Sequence, residues 1–545
     1  MKRNIVLFFL AITSRIGVAQ DINIIPQPSS VQQKQGRFII KRTTPIVAKS
    51  PEEIRSGKYL NAYLNKYFGF SLPIKTSGSA GIIIKANKDA ADSYVLEVDP
   101  KSIKVLGGNA TGAFYGIQTV LQLLPLEKNG ELSIPAVSIT DTPVNKYRGL
   151  MLDVGRHFFP VADVKRYIDL LALHKMNYFH WHLTEDQGWR IEIKKYPKLT
   201  SVGAWRNGTI IGNNPGTGNT NTRYGGYYTQ EEVKDVVKYA ADRYITVIPE
   251  IEMPGHSSAA IASYPYLSCF PDKPTIDYVH KKSVWSGDST GKQVIQAWGI
   301  YKDVFCAGKE TTFQFLTDVL DEVMSLFPAK IIHIGGDECP KSNWEACPNC
   351  QKRIAELGFK TDSSHKAEHY LQSYFVKRIE QYLNGKGRKL LGWDEILEGG
   401  LAPNAWVMSW RGEKGGIEAA RSAHNVVMTP NTYAYFDHQQ AEKEDSVTIT
   451  KNRKHLPIEK VYGWNVYPDS LQQEYRKYVQ GGQANLWTEY VTNPGKAEYM
   501  LLPRLAALCE SLWTAPAKKQ WSDFNTRLQV QKKRYSLWGY NYYGK

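Results

Sequence analysis

The chain has 545 residues, of which 42% are hydrophobic and 22% charged, as is typical of soluble globular proteins. No apolar run approaches the ~20 residues of a membrane-spanning helix, which argues against an integral membrane protein. The formal net charge is +15, but lysines and arginines are dispersed among acids, so a solvated surface is favoured over nucleic-acid binding. The length predicts two domains.

The first residues have the pattern of a secretory signal peptide. Lys2 and Arg3 precede an apolar stretch from Ile5 to Ile12, and small residues then lead to Ala19. We expect residues 1–19 to be the signal peptide and the mature protein to be periplasmic or secreted. No cysteine follows closely enough to carry a lipid, so no membrane anchor is expected.

Residues 20–142 contain short β-rich runs and two helical patterns. The runs include RFIIKR, GIIIKA, SYVLEV and SIKVLG, and the helical patterns extend from Glu52 to Phe68 and from Ala110 to Leu124. This mixture predicts a small N-terminal α+β domain.

After Pro143, strand and helix patterns alternate almost to the C-terminus. The candidate strands are residues 147–155, 177–185, 244–252, 330–338, 388–396, 405–412, 425–433 and 483–491. The candidate helices are residues 161–174, 231–244, 312–327, 364–383 and 416–423, with a last one from 497 to 513; Thr229 and Glu232 form a capping box for the second. Eight such units predict an α/β fold, a (β/α)₈ TIM barrel that makes up the catalytic domain over residues 143–545. The fifth connection is very short and residues 434–480 are irregular, which implies an imperfect barrel or a misplaced helix.

Polar and aromatic residues collect where the predicted strands end, which is where barrel enzymes carry their sites. In chain order they are Asp153, Arg156, His157, His180, His182, Glu185, Asp186, Glu250, Glu252, His256, Asp337, Glu338, Trp393, Asp394, Glu395, Trp410, Arg411, Tyr433, Tyr435, Asp437, Trp487 and Glu489. Indole rings suit the apolar face of a sugar, whereas carboxylates and arginine bind its hydroxyls. The ring therefore predicts a pyranose-binding, glycosidase-like site.

Asp337 and Glu338 are neighbouring acids whose charges repel, which favours one protonated and one ionised carboxyl. Two-carboxylate glycosidases space these groups ~5 to 5.5 Å or ~6.5 to 9.5 Å apart, yet neighbours on an ideal strand point to opposite faces. The preceding Gly335 and Gly336 would have to bend the strand to aim both acids inward.

Six cysteines in an exported chain allow fifteen pairings, and the pairing of Cys269, Cys306, Cys339, Cys347 and Cys350 stays open. A bridge between Cys269 and Cys306 would restrain the stretch between them by roughly 3 to 4 kcal/mol. Cys347-x-x-Cys350 resembles half of a zinc site, but no second CxxC or HxxxH completes four ligands, so zinc is not expected there. Cys509 is predicted to be a buried thiol.

His180 and His182 share one strand face, and such a pair also begins the zinc sites of some barrel hydrolases. His256 and His333 could add ligands, but no aspartate is evident on strand eight. We therefore expect structural, hydrogen-bonding histidines and neither a metal nor another cofactor.

Several motifs together resemble the family 20 glycoside hydrolases, the β-N-acetylhexosaminidases, in the order that this family shows them. They are RGLMLDVGRHF, HWHLTEDQGWR, MPGH, HIGGDE, GWDE, the Trp410 segment, Tyr435-Phe436-Asp437 and LWTEY. The resemblance covers about residues 143–515, and the small domain before them also fits. GGDE alone also occurs in cyclic-dinucleotide synthases, but those have a phenylalanine next, where this chain has Cys339.

The resemblance implies an exo-acting, retaining enzyme that removes terminal β-linked GlcNAc or GalNAc from a glycan. Its nucleophile would be the substrate's own 2-acetamido oxygen, which gives an oxazolinium intermediate. Glu338 would then be the general acid and base, and Asp337 would orient the acetamide. A disaccharide-releasing relative (lacto-N-biosidase-like) and a non-catalytic glycan-binding protein are the alternatives; the oligomeric state stays open.

The same resemblance implies roles for the remaining site residues. Arg156 would bind the 3- and 4-hydroxyls, Tyr435 the acetamide oxygen, and Asp437 and Glu489 the 4- and 6-hydroxyls; Trp393, Trp410 and Trp487 would form the walls, and His256 would contact the acid. The family often has two aspartates where this chain has Glu185 and Asp186, so the effect of the longer Glu185 side chain is left open.

Overall fold

The computed structural model describes residues 22–89, 91–127, 130–442 and 454–545. The predicted signal peptide lies outside these residues. Within them, no helix combines the length and apolar character that a bilayer crossing requires.

The N-terminal region is one seven-stranded sheet covered by two helices. Its strands are Ser30–Ile39, Ile46–Val47, Ile74–Lys75, Gly81–Ala86, Tyr94–Val98, Ser102–Gly107 and Ser133–Asp141, and they lie in the order first, seventh, fifth, sixth, fourth, second, third. The helices are Pro51–Phe68 and Ala110–Leu123, which begin at the capping residues Ser50 and Asn109. The predicted α+β character is therefore confirmed, although the named runs did not include the strands Ile46–Val47, Ile74–Lys75 and Ser133–Asp141.

A closed barrel of eight parallel strands follows. The strands are β1 (Tyr147–Asp153), β2 (Tyr178–His182), β3 (Thr246–Glu250), β4 (Ile331–His333), β5 (Lys389–Trp393), β6 (Trp406–Ser409), β7 (Val426–Met428) and β8 (Val479–Leu486). β8 pairs with β1 from Gly481 opposite Tyr147 to Leu486 opposite Leu152, which closes the ring. Seven strands lie inside the predicted segments and β8 overlaps its segment, so the predicted TIM barrel is confirmed.

The helices around the barrel include the five predicted between strands and several that were not predicted, of which Trp521–Trp538 is the longest. They are Val161–Leu173, Lys198–Ser201, Gln230–Ala241, Ser258–Ser263, Glu310–Leu326, Ser342–Ala346, Pro348–Glu356, Ala367–Gly385, Lys414–Arg421, Asn431–Ala434, Ile458–Gly463, Pro494–Leu501, Arg504–Trp513 and Trp521–Trp538. The predicted capping box of Thr229 and Glu232 is present.

Two further differences concern the fifth connection and the last predicted helix. Between β5 and β6 the described chain has one 3₁₀ turn, Asp394–Leu397, in place of an α-helix. The short connection is therefore a real irregularity of the barrel. The predicted helix 497–513 was wrong in its continuity, because Pro503 divides it. Proline lacks an N–H and disfavours helical geometry in the residue before it, and Leu502 is extended.

The barrel interior is apolar at its amino-terminal end and polar at the other. Tyr147, Ile248, Leu391, Met408 and Val427 form one buried cluster across five strands. Toward the carboxyl ends, histidines and carboxylates replace the apolar side chains. This gradient places the polar site in the half of the barrel where the sequence predicted it.

The small domain packs against the barrel through buried charge. Asp141 at the end of the last small-domain strand accepts a hydrogen bond from the Trp513 indole and lies 3.5 Å from the Lys175 ammonium. Arg148 of β1 donates to the Tyr115 hydroxyl of the second helix. Both parts of the chain therefore contribute to one continuous interior.

All six cysteines are buried and unbonded, so the bridge considered between Cys269 and Cys306 is not formed. Cys269, Cys306, Cys347 and Cys350 nevertheless meet in one cluster. The argument that Cys347-x-x-Cys350 lacks two further ligands was therefore wrong, because Cys269 and Cys306 come from a loop that is distant in sequence.

Candidate active site

A cavity of about 380 Å³ opens at the carboxyl ends of the barrel strands. Its lining brings together nine predicted residues, Arg156, Asp337, Glu338, Trp393, Trp410, Tyr435, Asp437, Trp487 and Glu489, and four that were not predicted, Ile300, Asn431, His438 and Lys454. The predicted residues Glu185, Asp186 and His256 are buried behind this wall: Glu185 contacts Arg156 and His256 contacts Glu338, whereas Asp186 contacts His256.

A larger cavity of about 620 Å³ lies beside it and shares Glu489. Its other titratable side chains are His157, Tyr224, Tyr490 and Lys496, so it holds no pair of carboxyls. Among the described residues, the neighbouring acids predicted from the sequence therefore line the smaller cavity.

The chain turns sharply after β4, and this turn aims both neighbouring acids at the cavity. β4 ends at His333, and Gly335, Gly336 and Glu338 have φ of 68°, 93° and 43°. A Cβ at Gly335 would lie 1.7 Å from a carboxylate oxygen of Glu252, so only glycine fits there. The bend that the sequence required for Asp337 and Glu338 is present.

His256 lies between the acidic pair and a second pair of acids. Its Nε2 is 3.7 Å from Asp337 Oδ2 and 3.5 Å from Glu338 Oε2. Its Nδ1 is 3.1 Å from both Glu185 Oε1 and Asp186 Oδ2. With carboxylates facing both nitrogens, the imidazolium form is favoured: the pKa of His256 rises well above 6.5 even though burial alone would lower it.

Burial, joined by the repulsion of Glu338, raises the pKa of Asp337 to about 7, against the opposite effect of His256. Burial also raises the pKa of Glu252 well above its usual value, and the nearby Asp337 and Glu250 add to this effect. Among the described residues, Asp337 Oδ1 is buried and has no hydrogen-bond partner. The site therefore holds a carboxylate oxygen that a ligand donor could satisfy.

Arg156 faces the cavity from the loop after β1 and is ion-paired behind it. Its Nη2 lies 2.5 Å from Glu185 Oε1, the oxygen that also faces His256, and its guanidinium stacks on Trp487 at 4.9 Å. Within the described chain, its buried Nε and Nη1 have no hydrogen-bond partner. The longer side chain at Glu185 thus connects the arginine to the histidine beside the acid.

Each aromatic wall is fixed in orientation by a hydrogen bond. The indole of Trp393 donates to Glu250 at 2.8 Å and that of Trp410 donates to Glu395 at 2.9 Å. The side chains of Trp487 and Tyr435 form a hydrogen bond with each other, and Tyr435 stacks on Trp410 with ring centroids 6.0 Å apart. These walls are therefore preorganised for a flat, partly apolar ligand.

Two buried residues position several members of the site: Asp153, which the sequence placed in the strand-end ring without a role, and Arg504, which the sequence did not single out. Asp153 Oδ1 accepts from the N–H of Gly155 and Arg156, and its Oδ2 accepts from the N–H and hydroxyl of Thr488. Arg504 donates to the carbonyls of Phe436 and His438, on either side of Asp437. The position of Asp153 at a strand end identified it from the sequence, whereas Arg504 lies in an apolar helix and offered no such signal.

His180, His182 and His333 surround Glu250 inside the barrel. His180 Nε2 lies 2.9 Å and His333 Nδ1 lies 3.0 Å from the carboxylate, and His182 Nδ1 hydrogen-bonds to it. Burial lowers the pKa of His180 to about 4, whereas Glu250 and Glu185 outweigh burial and raise that of His182 to about 10. These contacts agree with the predicted structural role.

Comparison with known proteins places this geometry in a family. The family model described as "Glycosyl hydrolase family 20, catalytic domain" matches residues 145–516, and "Glycosyl hydrolase family 20, domain 2" matches residues 21–142. A β-hexosaminidase of Porphyromonas gingivalis is 45% identical over 537 residues, which cover 96% of this chain. The chain spans only 64% of the length of that relative.

Solved structures agree. The exo β-N-acetylglucosaminidase of Vibrio harveyi in complex with N-acetylglucosamine superimposes with a TM-score of 0.83 at 33% identity and covers 96% of this chain and 78% of its own. The β-N-acetylhexosaminidase of Bacteroides fragilis superimposes with a TM-score of 0.77 at 32% identity and covers 95% and 96% of the two chains.

Proposed function

Because the chain belongs to glycosyl hydrolase family 20, we propose that it is an exo-acting, retaining β-N-acetylhexosaminidase that releases terminal β-linked GlcNAc or GalNAc from glycans. One observation carries the proposal. Asp337 and Glu338 are neighbours on one turn of the chain and both line a tryptophan-walled cavity, and the two other carboxyls of its lining, Asp437 and Glu489, are assigned to sugar hydroxyls. The 2-acetamido group of the substrate would supply the nucleophile instead.

In the first step, the acetamide oxygen forms a bond to the anomeric carbon while the bond to the leaving oxygen breaks. Glu338, whose side chain is partly exposed, gives its proton to that oxygen. The product is an oxazolinium with a positive charge on the former amide. Asp337 Oδ1 would accept a hydrogen bond from the acetamide N–H and stabilise this charge. The electrostatic interaction is stronger because the carboxylate is shielded from water.

In the second step, water attacks the anomeric carbon and Glu338, now ionised, takes the proton of the water. The bond to the acetamide oxygen breaks, and the sugar leaves with its configuration retained. The protonated His256 is close to Asp337 and Glu338 throughout, so it can compensate the change of charge on Glu338.

The remaining residues would hold one sugar ring. Nε and Nη1 of Arg156 have no hydrogen-bond partner in the described chain and would donate to ring hydroxyls; Nη1 also lies 3.6 Å from Asp153 Oδ2. Trp487 would lie under the ring, and Trp393 and Trp410 around the acetamide. Asp437 and Glu489 would bind the hydroxyls at the far end of the ring.

A panel of nitrophenyl glycosides tests the activity. We expect the N-acetyl-β-glucosaminide or N-acetyl-β-galactosaminide to be hydrolysed with a kcat/KM at least ~10³ above that of the β-glucoside, because only the former carry the internal nucleophile. Equal rates would contradict substrate assistance. Hydrolysis of a disaccharide glycoside alone would favour the lacto-N-biosidase-like alternative, and no hydrolysis would favour a glycan-binding protein.

Tyr435→Phe tests the proposed contact with the acetamide oxygen. The ring would keep its stacking on Trp410, but the hydroxyl would be lost. Burial and Asp437 raise the pKa of Tyr435 well above 10, so the hydroxyl is a neutral donor. We expect kcat to fall about 10²-fold with little change in melting temperature, as measured by steady-state kinetics and calorimetry.

We also propose that the protein is exported. The basic start, apolar stretch and small residues before Gln20 support this. Sequencing the N-terminus of the mature protein after expression in a Gram-negative host tests it, with cleavage after Ala19 as the expected result.

A further inference from the structure

Four buried cysteines outside the active site form a compact cluster. Cys269 and Cys306 come from the long loop after β3, whereas Cys347 and Cys350 come from the segment after β4. Cys306, Cys347 and Cys350 are fully buried, and Cys269 is 7% exposed. The family-20 chemistry uses none of them.

Three of the six distances between the sulfurs match a tetrahedral metal site, and all four sulfurs lie within 4.8 Å of one another. Zinc–sulfur bonds of about 2.3 Å place the corners of a regular tetrahedron about 3.8 Å apart. Here Cys269 Sγ is 3.7 Å from Cys350 Sγ, and Cys306 Sγ is 3.8 Å from Cys347 Sγ and 3.6 Å from Cys350 Sγ. A disulfide would bring a pair to about 2.0 Å. We propose that Cys269, Cys306, Cys347 and Cys350 bind one structural Zn²⁺ through four thiolates.

The surroundings of the cluster suit such a site. Cys347 caps the helix Pro348–Glu356, whose N-terminus favours a thiolate, and Cys350 lies in its first turn. The Lys309 ammonium donates to the carbonyl of Ser268, next to Cys269, where it reduces the net negative charge of four thiolates and one zinc.

The two segments also pack too closely to be independent. A Cβ on Gly308 would lie 2.2 Å from the backbone of Asn349, and the Trp344 indole donates to the Phe305 carbonyl. Four thiolate ligands and no other donor describe a closed structural site rather than a catalytic one.

The proposed zinc would link two loops that carry residues of the active site. The stretch from Cys269 to Cys306 begins and ends at the cluster, and Ile300 within it lines the catalytic cavity. The other two ligands follow the turn that carries Asp337 and Glu338. The metal thus joins the loop after β3, which holds His256, to the loop after β4, and so fixes two walls of the site relative to each other.

Elemental analysis of the full chain, purified without chelator, tests the proposal. We expect about one zinc per chain, released when a mercurial reagent blocks the thiols, and six alkylatable thiols after denaturation without reductant. Zinc-free protein in which only two of the six cysteines can be alkylated would indicate two disulfides and overturn the proposal. Zinc-free protein with six free thiols, or iron in place of zinc, would overturn it equally.

Two matched substitutions locate the metal. Cys306→Ser removes a ligand, so we expect loss of most zinc and a lower melting temperature. Cys509→Ser changes an equally buried thiol in the helix Arg504–Trp513 and should keep its zinc. Equal zinc content in both variants would contradict the assigned ligands. The release experiment on the unaltered chain decides the matter if Cys306→Ser fails to fold.

Discussion

Glu338→Gln is expected to reduce kcat/KM about 10³-fold on a chitooligosaccharide or another glycan whose leaving group needs a proton. The reason is that glutamine keeps the shape of the side chain but cannot donate a proton to an alkoxide. Nitrophenolate leaves without that help, so bond cleavage in a nitrophenyl glycoside should suffer far less. Steady-state kinetics on both substrates measure the difference.

An external nucleophile separates the two roles of Glu338. Azide needs no general base, so it should accelerate turnover of the nitrophenyl substrate by Glu338→Gln and give a β-glycosyl azide. Glu231→Gln, on the exposed face of an outer helix, is the matched control and should leave both rates unchanged. Equal losses on both substrates without azide rescue would exclude Glu338 as the acid and base.

Asp337→Asn is expected to lower kcat by roughly 10² to 10³ on every 2-acetamido substrate, whatever its leaving group. An amide cannot offset the positive charge of the oxazolinium, although it can still hydrogen-bond to the acetamide. The loss should therefore appear in kcat more than in KM. A loss that varied with the leaving group would assign the acid role to Asp337 instead.

The same substitution should stabilise the fold at high pH. The pKa of Asp337 is about 7 in the folded protein and 3.8 in the unfolded one, so the folded chain binds this proton more tightly. Stability then decreases as the pH rises from about 4 to 7, and the ionised carboxylate costs up to about 4 kcal/mol above that range. Asp337→Asn avoids this cost.

Calorimetry at two pH values checks the sign of that effect. At pH 8 we expect Asp337→Asn to melt a few degrees above the unaltered protein, and at pH 4 we expect the difference to disappear. A variant less stable at pH 8 would show that the carboxylate supports the fold. Loss of activity together with gain of stability would show that Asp337 is needed for activity and destabilises the fold.

Most of the fold could be predicted from the sequence because the eight buried strands alternate with amphipathic helices at regular spacing. The errors occur where local pattern carries little information. Pro503 divides an otherwise uniform helical run, and the strand Ser133–Asp141 contains Pro135, a residue that argues against a strand. The strands Ile46–Val47 and Ile74–Lys75 are too short to show the alternation of a strand. The short link between β5 and β6 was recognised as short but not as a 3₁₀ turn.

The lining of the site was predictable because the chemistry is carried by residues at strand ends, which a barrel brings together regardless of their separation in sequence. What could not be predicted depends on long-range contact. Cys269 and Cys306 are far from Cys347 in the chain, and Ile300 and Lys454 reach the cavity from irregular loops. No periodicity marks such positions.

The double hydrogen bonding of Asp153 to Thr488 has a consequence for when the protein acquires its activity. The residue belongs to the first strand of the barrel and its partner follows the last, so Arg156 and Trp487 take their places only after the ring has closed. Contacts of such large sequence separation form late in folding. A chain still in synthesis or partly refolded would lack the ordered Arg156 and Trp487 of the proposed sugar site. A tight competitive inhibitor that binds only the closed barrel should therefore raise the melting temperature of the barrel as a whole.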